Sequence, residues 1–413
     1  MALARFLQVS DLHLGRPFAW LSAERREQRR RDQQRALEAA VGQAIERGAH
    51  AILLPGDLFD AAATDAGTLA FAVKAFAVHG CPPVFIAPGN HDPVAADNPA
   101  WNPRLLHARG AAWPEHVHVF TSPGWTAREV PRLAGVRVWG RAATAHVESA
   151  ERPLDRGALA AGPGRGGGGL EVAVFHGSRE GRCPPAQAVT APFSDEEVAA
   201  SPFAYHAVGH YHAASRIEQA VAEGVASAGS RLAYAGSAVA LDMGETGAHG
   251  ALEVRIEHGR GLPFVEAEPV ELDRRRVLVA TADVGGCASA DQVDRRLLKA
   301  LDAAGAGDAD LVNVTLAGRL PPGVRWSGPS ADVRGRVFHL RVNAAEVRPD
   351  YDLDAYRAAE GKTTEERFAQ ELLRQLDAET DPGRRALVEH ALVHGLDAFR
   401  LREVAPRWDE VTG

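Results

Sequence analysis

The sequence predicts an α/β sandwich through about residue 265, followed by a small α+β unit and a helical tail. Along the first part, short apolar runs alternate with helix-like segments, as expected of strands and helices layered around one core. From about residue 272 the pattern changes to longer strands flanking one amphipathic helix, and then becomes wholly helical. At 413 residues the chain is also too long for one ordinary domain, so two or three are expected.

In the first part, the informative feature is where the apolar runs stop. Phe6-Leu7-Gln8-Val9 ends at Asp11-Leu12-His13, and Ile52-Leu53-Leu54 ends at Pro55-Gly56-Asp57. Val84-Phe85-Ile86-Ala87 ends at Gly89-Asn90-His91-Asp92. Val172-Ala173-Val174-Phe175 ends at His176-Gly177, and Ala207-Val208 ends at Gly209-His210-Tyr211-His212. Open sheets gather ligand sites at the carboxyl ends of their strands, so all five runs deliver Asp, Asn and His to one edge.

The second part is expected to be a capping domain over residues 269–348. RRVLVATADV reads as a strand, ADQVDRRLLKALDAA as an amphipathic helix, and DADLVNVTLAGRL and GRVFHLRVNA as two further strands, a β-α-β-β unit. Residues 349–413 read as helices. Thr363 with Glu366 forms a capping box, and Asp381-Pro382 supplies an N-cap with Pro in the first turn. Phe368, Leu372, Leu373 and Leu376 line one apolar stripe, and Leu387, Val388, Ala391, Leu392, Leu396 and Phe399 a second. The stretch from Gly162 to Gly169 is too poor in side chains to pack and reads as a surface loop.

Composition excludes several classes. Hydrophobic residues make up 46%, enough for a sizeable core, yet no apolar run approaches the ~18 residues of a membrane span. The N-terminus has no secretory pattern, so a soluble, cytoplasmic protein is expected. Three well-separated cysteines, Cys81, Cys183 and Cys287, do not make a disulfide framework. A net charge of −8 argues against a general nucleic-acid coat protein and leaves room for a local basic surface.

The residue types at the five strand ends suit a pair of divalent ions. Two ions about 3.5–4 Å apart need a bridging carboxylate with imidazole, carboxylate and amide ligands around it. In Asp11-x-His13 and His210-x-His212 the two side chains are two residues apart, so an extended backbone points both the same way. Glycines before Asp57, Asn90 and His210 keep side chains from crowding the ions. With no thiolate in the set, manganese, iron or another octahedral ion fits better than structural zinc.

The motifs DLH, GDLFD, GNHD, HG and GHYH, in that order, resemble the calcineurin-type metallophosphoesterase superfamily. The longer strings QVSDLHLGRPF, LLPGDLFD, PVFIAPGNHD, VFHGS, YHAVGHYH and YAGSAVALDMGETGAHG are similar to bacterial SbcD-type nuclease subunits of the YhaO-like branch. That resemblance covers roughly residues 5 to 255. It implies a four-layer αββα sandwich with a capping domain, and an enzyme hydrolysing phosphodiesters at DNA ends with two divalent ions, Mn2+ foremost. One ion would be held by Asp11, His13 and His212, the other by Asn90, His176 and His210, with Asp57 bridging. His91 would approach the scissile phosphate and protonate the leaving oxygen, its ring oriented by Asp60 or Asp92. The implied partners are DNA and a coiled-coil ATPase subunit of the SbcC type docking on the helical tail; a homodimer is also open to such a chain. Two departures stand out: Asp60 occupies a position where some of these nucleases carry His, and Ala213-Ala214-Ser215-Arg216 follows GHYH. The alternative is a stand-alone phosphoesterase acting on a small ester such as a cyclic nucleotide.

Arg25 with Arg29, and Arg26 with Arg30, recur at i,i+4 spacing on a predicted helix beside the first ligand loop. They form either a DNA-backbone contact or a solvated face partly cancelled by Glu24, Glu27 and Asp32. His107, His116, His118 and His206 read as surface or hydrogen-bonded histidines.

Overall fold

The structure, a computed structural model, describes residues 2–61, 64–145, 150–161, 169–183, 188–218, 230–259, 263–321 and 324–402. The chain divides into two compact units, Met1–Arg276 and Val277–Gly413. The predicted Gly-rich loop lies, apart from Gly169, outside the described residues.

The first unit is built on two six-stranded sheets. One contains β1 (Ala2–Gln8), β2 (Ala51–Leu54), β3 (Val84–Ile86) and β4 (Val117–Val119), all parallel. The other contains β5 (Thr126–Glu129), β6 (Val136–Gly140), β7 (Leu170–His176), β8 (Tyr205–Gly209), β9 (Ser215–Glu218) and β10 (Ser230–Tyr234) in the order β5-β6-β7-β8-β10-β9. Its four inner strands are parallel, and its edges β5 and β9 antiparallel. The chain then returns to the first sheet as β11 (Gly250–His258) and β12 (Phe264–Glu271), antiparallel beside β1.

Alternation along the strands makes the sandwich. Phe6, Leu53 and Phe85 from the first sheet share one buried cluster with Val138, Val172, Val174 and Ala207 from the second. The side chains between them point outward, and the long helix α1 (Ala23–Glu46) covers that face of the first sheet beside α2 (Ala66–Phe76). Outside the second sheet, Phe175, Val208 and Tyr234 pack with Trp125, Phe193 and Phe203, joined by Val198 of α4 (Asp195–Ala200); the short α3 (Pro103–Ala108) precedes β4. Strands covered on both faces explain why the runs read as almost continuously apolar. Gln8 ties the two sheets together at their ligand-bearing edge. Its amide donates to the Ala233 and Val208 carbonyls and accepts the Tyr205 hydroxyl, leaving the buried group satisfied.

The first unit extends beyond the boundary expected at residue 268, because β12 pairs through Glu271 and Asp273 is bound inside the unit by Arg29. In the second unit β13 (Val277–Asp283), β14 (Leu311–Leu320) and β15 (His339–Pro349) form a parallel sheet, with α5 (Ala290–Ala303) as the first crossover. A short helix, α6 (Ala331–Gly335), links β14 to β15, so the unit is β-α-β-α-β and not the expected β-α-β-β. Five residues are too few to show a helical period. The tail forms α7 (Leu353–Ala358), α8 (Thr364–Ala378) and α9 (Pro382–Leu401), with the Thr363 capping box and the Asp381 cap both present. Leu373 of α8 and Leu392 and Leu396 of α9 pack on each other and on Tyr356, while Leu387 and Phe399 stay exposed. Among the described residues, no helix is long and apolar enough to cross a membrane.

Candidate metal centre

Parallel neighbours end at one edge, so β1, β2 and β3 bring Asp11, His13, Asp57, Asn90 and His91 together, while β7 and β8 bring His176, His210 and His212 from the facing sheet. Asp11, His13, Asp57, His176 and His210 are all buried. The backbone contorts to achieve this. Of the eight non-glycine residues with positive φ among those described, Asp11 (50°), His13 (47°), Asp57 (53°) and His210 (113°) are four. Such strain persists only where the surroundings over-determine it, and it clusters at functional sites.

The glycines before the ligands act through space more than through rotation. A Cβ on Gly89 would lie 2.2 Å from Asp57 Oδ1, and one on Gly209 would lie 2.0 Å from the Pro55 carbonyl oxygen. Gly56 needs both freedoms, with φ +101° and a Cβ position 2.3 Å from His176 Nδ1.

Each imidazole has its outward nitrogen fixed by an acceptor. His13 Nδ1–H donates to Asp60 Oδ1 (3.1 Å) and His212 Nδ1–H to Glu245 Oε1 (2.7 Å). His176 Nδ1–H donates to the Pro55 carbonyl (3.0 Å) and His210 Nε2–H to the Ala188 carbonyl (2.8 Å). Since these acceptors cannot donate, the tautomers follow, and the other nitrogen of each ring is the one available to a cation. His13 Nε2 is buried with no hydrogen-bond partner, 3.6 Å from Asp57 Oδ2. An orphaned buried nitrogen costs about 1–3 kcal/mol unless a ligand satisfies it, so the donor set fits a bound cation. His176 Nε2 faces Asp57 Oδ2 (3.3 Å) and Asn90 Oδ1 (3.0 Å).

The electrostatics point the same way. Burial alone would push the Asp57 carboxyl up, but His176, His13 and His91 outweigh it and hold it well below the carboxylate range. Burial would likewise lower His176, yet Asp57 and Asp11 raise it to about 9. Positive charge is therefore favoured where His176 meets Asp57, by a proton or by a metal that displaces it, whereas burial lowers His13 and takes His210 down to about 3, leaving those rings neutral and open to a cation.

Three overlapping clusters have ligand atoms within 4.8 Å of one another: Asp11, His13 and His212; Asp11, Asp57 and His176; and His13, Asp60 and His91. The first two adjoin through Asp11 and are compatible with two neighbouring ions. The third is already a hydrogen-bond network, because Asp60 Oδ1 also accepts from Arg16 (3.0 Å), a cation that competes with any metal.

Three sequence expectations change here. Asp60 does orient His91, but through its backbone carbonyl, which accepts His91 Nδ1–H (3.1 Å), while its carboxylate serves His13. Asp92 does not touch the His91 ring; its carboxylate accepts the Gly89 and Phe59 amides and clamps two ligand loops. Arg29 leaves the proposed basic stripe altogether. It is fully buried, paired with Asp273 (2.5 Å) and bound to the Ala240 carbonyl (2.7 Å). Of the other three, Arg25 and Arg26 are half-buried, and Arg30 is exposed, its Nε donating to the Arg16 carbonyl. His206 and His116 hydrogen-bond to carbonyls of Arg231 and Phe76, as read from sequence. The contact of Glu245 with His212 is not readable from the sequence, although Glu245 sits in the last of the six strings; no spacing rule ties it to His212, 33 residues away.

A buried meeting of acids and imidazoles that favours added cations is the working part of a metal-dependent hydrolase. The sequence places this one: the calcineurin-like phosphoesterase family matches residues 4–212, the stretch carrying the ligands from Asp11 to His212, and the chain belongs to that family. Among solved structures, the crystal structure of TT1561 of Thermus thermophilus is similar at 15% identity and a TM-score of 0.34, over 57% of this chain and 90% of that one. A search of curated proteins found no significant match.

Proposed function

We propose that this phosphoester hydrolase is a Mn-dependent nuclease acting on DNA ends, the nuclease subunit of an SbcC–SbcD-like repair complex. The observation that carries the reading is the run of six strings from QVSDLHLGRPF to YAGSAVALDMGETGAHG, whose polar residues meet at one edge of the sandwich. Asp11, His13 and His212 would hold one ion and Asn90, His176 and His210 the other, with Asp57 shared. Bound there, two divalent cations would polarise a phosphoryl oxygen and lower the pKa of water. An oxygen and imidazole donor set without thiolate suits Mn2+.

His91 is the proton donor in this reading. Its Nδ1–H is committed to the Asp60 carbonyl, so Nε2 serves the leaving oxygen. The half-buried ring sits edge-on to His13 at 4.6 Å, beside the ligands. Arg16 and Arg30 line the first ligand loop and supply phosphate contacts, with Arg25 and Arg26 further along the helix. The exposed Leu387 and Phe399 of α9 support docking of the tail on a coiled-coil ATPase.

The test is Mn2+-dependent turnover of DNA oligonucleotides beside a simple aryl diester and cyclic nucleotides, across a salt series. DNA cleavage is expected, and Arg26→Gln with Arg30→Gln should flatten the salt slope by about 1–2 while diester turnover persists. Turnover of cyclic nucleotides with DNA left intact would favour the small-ester reading, to which the net charge of −8 also points.

A further inference from the structure

The two halves of the centre are supported unequally. Both histidines of the Asp11–His13–His212 cluster donate to carboxylates, His13 to Asp60 and His212 to Glu245. Both histidines on the other side, His176 and His210, donate to neutral backbone carbonyls, those of Pro55 and Ala188. The remaining donors repeat the imbalance: Asp11 is a carboxylate, Asn90 a neutral amide, and Asp57 lies between them.

A carboxylate behind an imidazole makes the facing nitrogen a stronger donor and fixes the ring more firmly than a carbonyl does. It also adds negative charge within a few ångströms of the cation, in surroundings that screen it poorly. Of the two supporting acids, Glu245 is the less compromised. Asp60 shares its oxygen with the Arg16 guanidinium, which cancels part of its charge. Glu245 is paired with the His212 ring, and its second oxygen is held by the Leu241 amide (2.7 Å) and the Ser237 hydroxyl (3.1 Å), both neutral donors. Ser237 is in turn fixed to the ligand strand, its amide donating to the His212 carbonyl (2.9 Å). The carboxylate is thus locked at both ends against the ring it supports.

From this geometry we infer that the centre is thermodynamically asymmetric: the Asp11–His13–His212 position fills first and tightly, the Asn90–His176–His210 position is the exchangeable one, and Glu245 is the positioning residue that sets much of the difference. The inference rests on the dinuclear reading above and adds to it an order of filling and a residue that controls it.

The probe is Mn2+ alone, titrated into the chelator-stripped full-length chain by calorimetry, with free ion counted by electron paramagnetic resonance. Wild type should show two classes of site. Glu245→Gln keeps the side chain's size and removes its charge; it should weaken the tighter class about 10–100-fold and leave the weaker class in place. Asn90→Asp tests the same idea by gain: a carboxylate on the poorer side should strengthen the weaker class and narrow the gap, whether or not the Glu245 variant folds. Equal affinities in wild type, or a Glu245→Gln effect confined to the weaker class, would overturn the asymmetry while leaving two ions bound. Absence of Mn2+ binding in wild type would instead overturn the dinuclear reading itself.

Discussion

Replacing Gly89 by Ala adds one methyl group directly against the Asp57 carboxylate. The new Cβ would sit 2.2 Å from Asp57 Oδ1 and 2.8 Å from the Asp57 backbone nitrogen, where ordinary contacts need about 3.5 Å. The side chain would have to withdraw by roughly 1 Å and the backbone by about half that, since φ at Gly89 is itself acceptable to alanine. Asp57 belongs to the Asp11–Asp57–His176 cluster and lies 3.6 Å from His13 of the adjoining one, and its Oδ1 also accepts the His91 amide (3.0 Å), so the candidate ligands and His91 shift together. A misplacement of about 1 Å at reacting groups costs on the order of 100-fold in rate, and overpacking costs about 1–3 kcal/mol in stability. The assay is metal content by mass spectrometry, aryl diester turnover and a denaturant midpoint. Gly42→Ala serves as control, because a Cβ there meets nothing within 4 Å. Full occupancy by two ions and wild-type turnover in Gly89→Ala would refute the argument that this glycine is required by contact with Asp57.

Asp57→Ala should lose both ions and Asp11→Ala mainly one; two ions retained in Asp57→Ala, by metal analysis, would remove its bridging role. His91→Gln should keep the metals and lose about 10²–10⁴-fold in rate, and metal loss alongside activity would make His91 a ligand. Burial, aided by the Arg231 charge, pushes His206 down to about 3 from an ordinary 6.5. The unfolded chain therefore binds its proton first as pH falls, and stability declines between about pH 6.5 and 3, by about 1.4 kcal/mol per pH unit. Urea midpoints at pH 7 and 4.5 should separate by less in His206→Gln than in wild type; equal separations would assign the acid sensitivity elsewhere. Removing residues 362–402 should leave metal binding and diester turnover intact while abolishing association with a coiled-coil ATPase, and loss of the fold would show that the stripes serve only their own core.

The catalytic half of the fold was legible because parallel strands buried on both faces spell themselves out as apolar runs, and because the chemistry begins where each run stops. Hydrogen bonds from outward ring nitrogens were not legible, since they join residues far apart in sequence: His212 to Glu245, His176 to Pro55, His210 to Ala188. Arg29 was legible and misread. The buried positions of α1 run Arg29, Asp32, Gln33, Ala36, Leu37, Ala40, Val41 and Ala44, one stripe at helical spacing. Extending the apolar pattern of Leu37 and Ala36 back by one and two turns places Arg29 on the inner face. The i,i+4 rule pairs neighbours along a helix but does not say which side of it they occupy.

That buried arginine also shows how the centre is kept in shape. A charge removed from water is tolerable only with partners, and Arg29 has the Asp273 carboxylate and the Ala240 carbonyl. Asp273 in turn accepts the Ala240 amide, so both polar groups of one residue are held from α1 and from the end of the first unit. The next amide along, Leu241, supports Glu245, and Glu245 supports His212. One turn further along the same face, Gln33 donates to the carbonyls of Leu12 and His13, bracing the loop where Asp11 and His13 adopt positive φ. Left-handed backbone at non-glycine residues costs of order 1–3 kcal/mol each and persists only when neighbouring contacts forbid relaxation. Helix α1 thus braces both loops of the Asp11–His13–His212 cluster from within the protein, and the polar residues of its inner face serve the metal centre as supports, out of reach of any substrate.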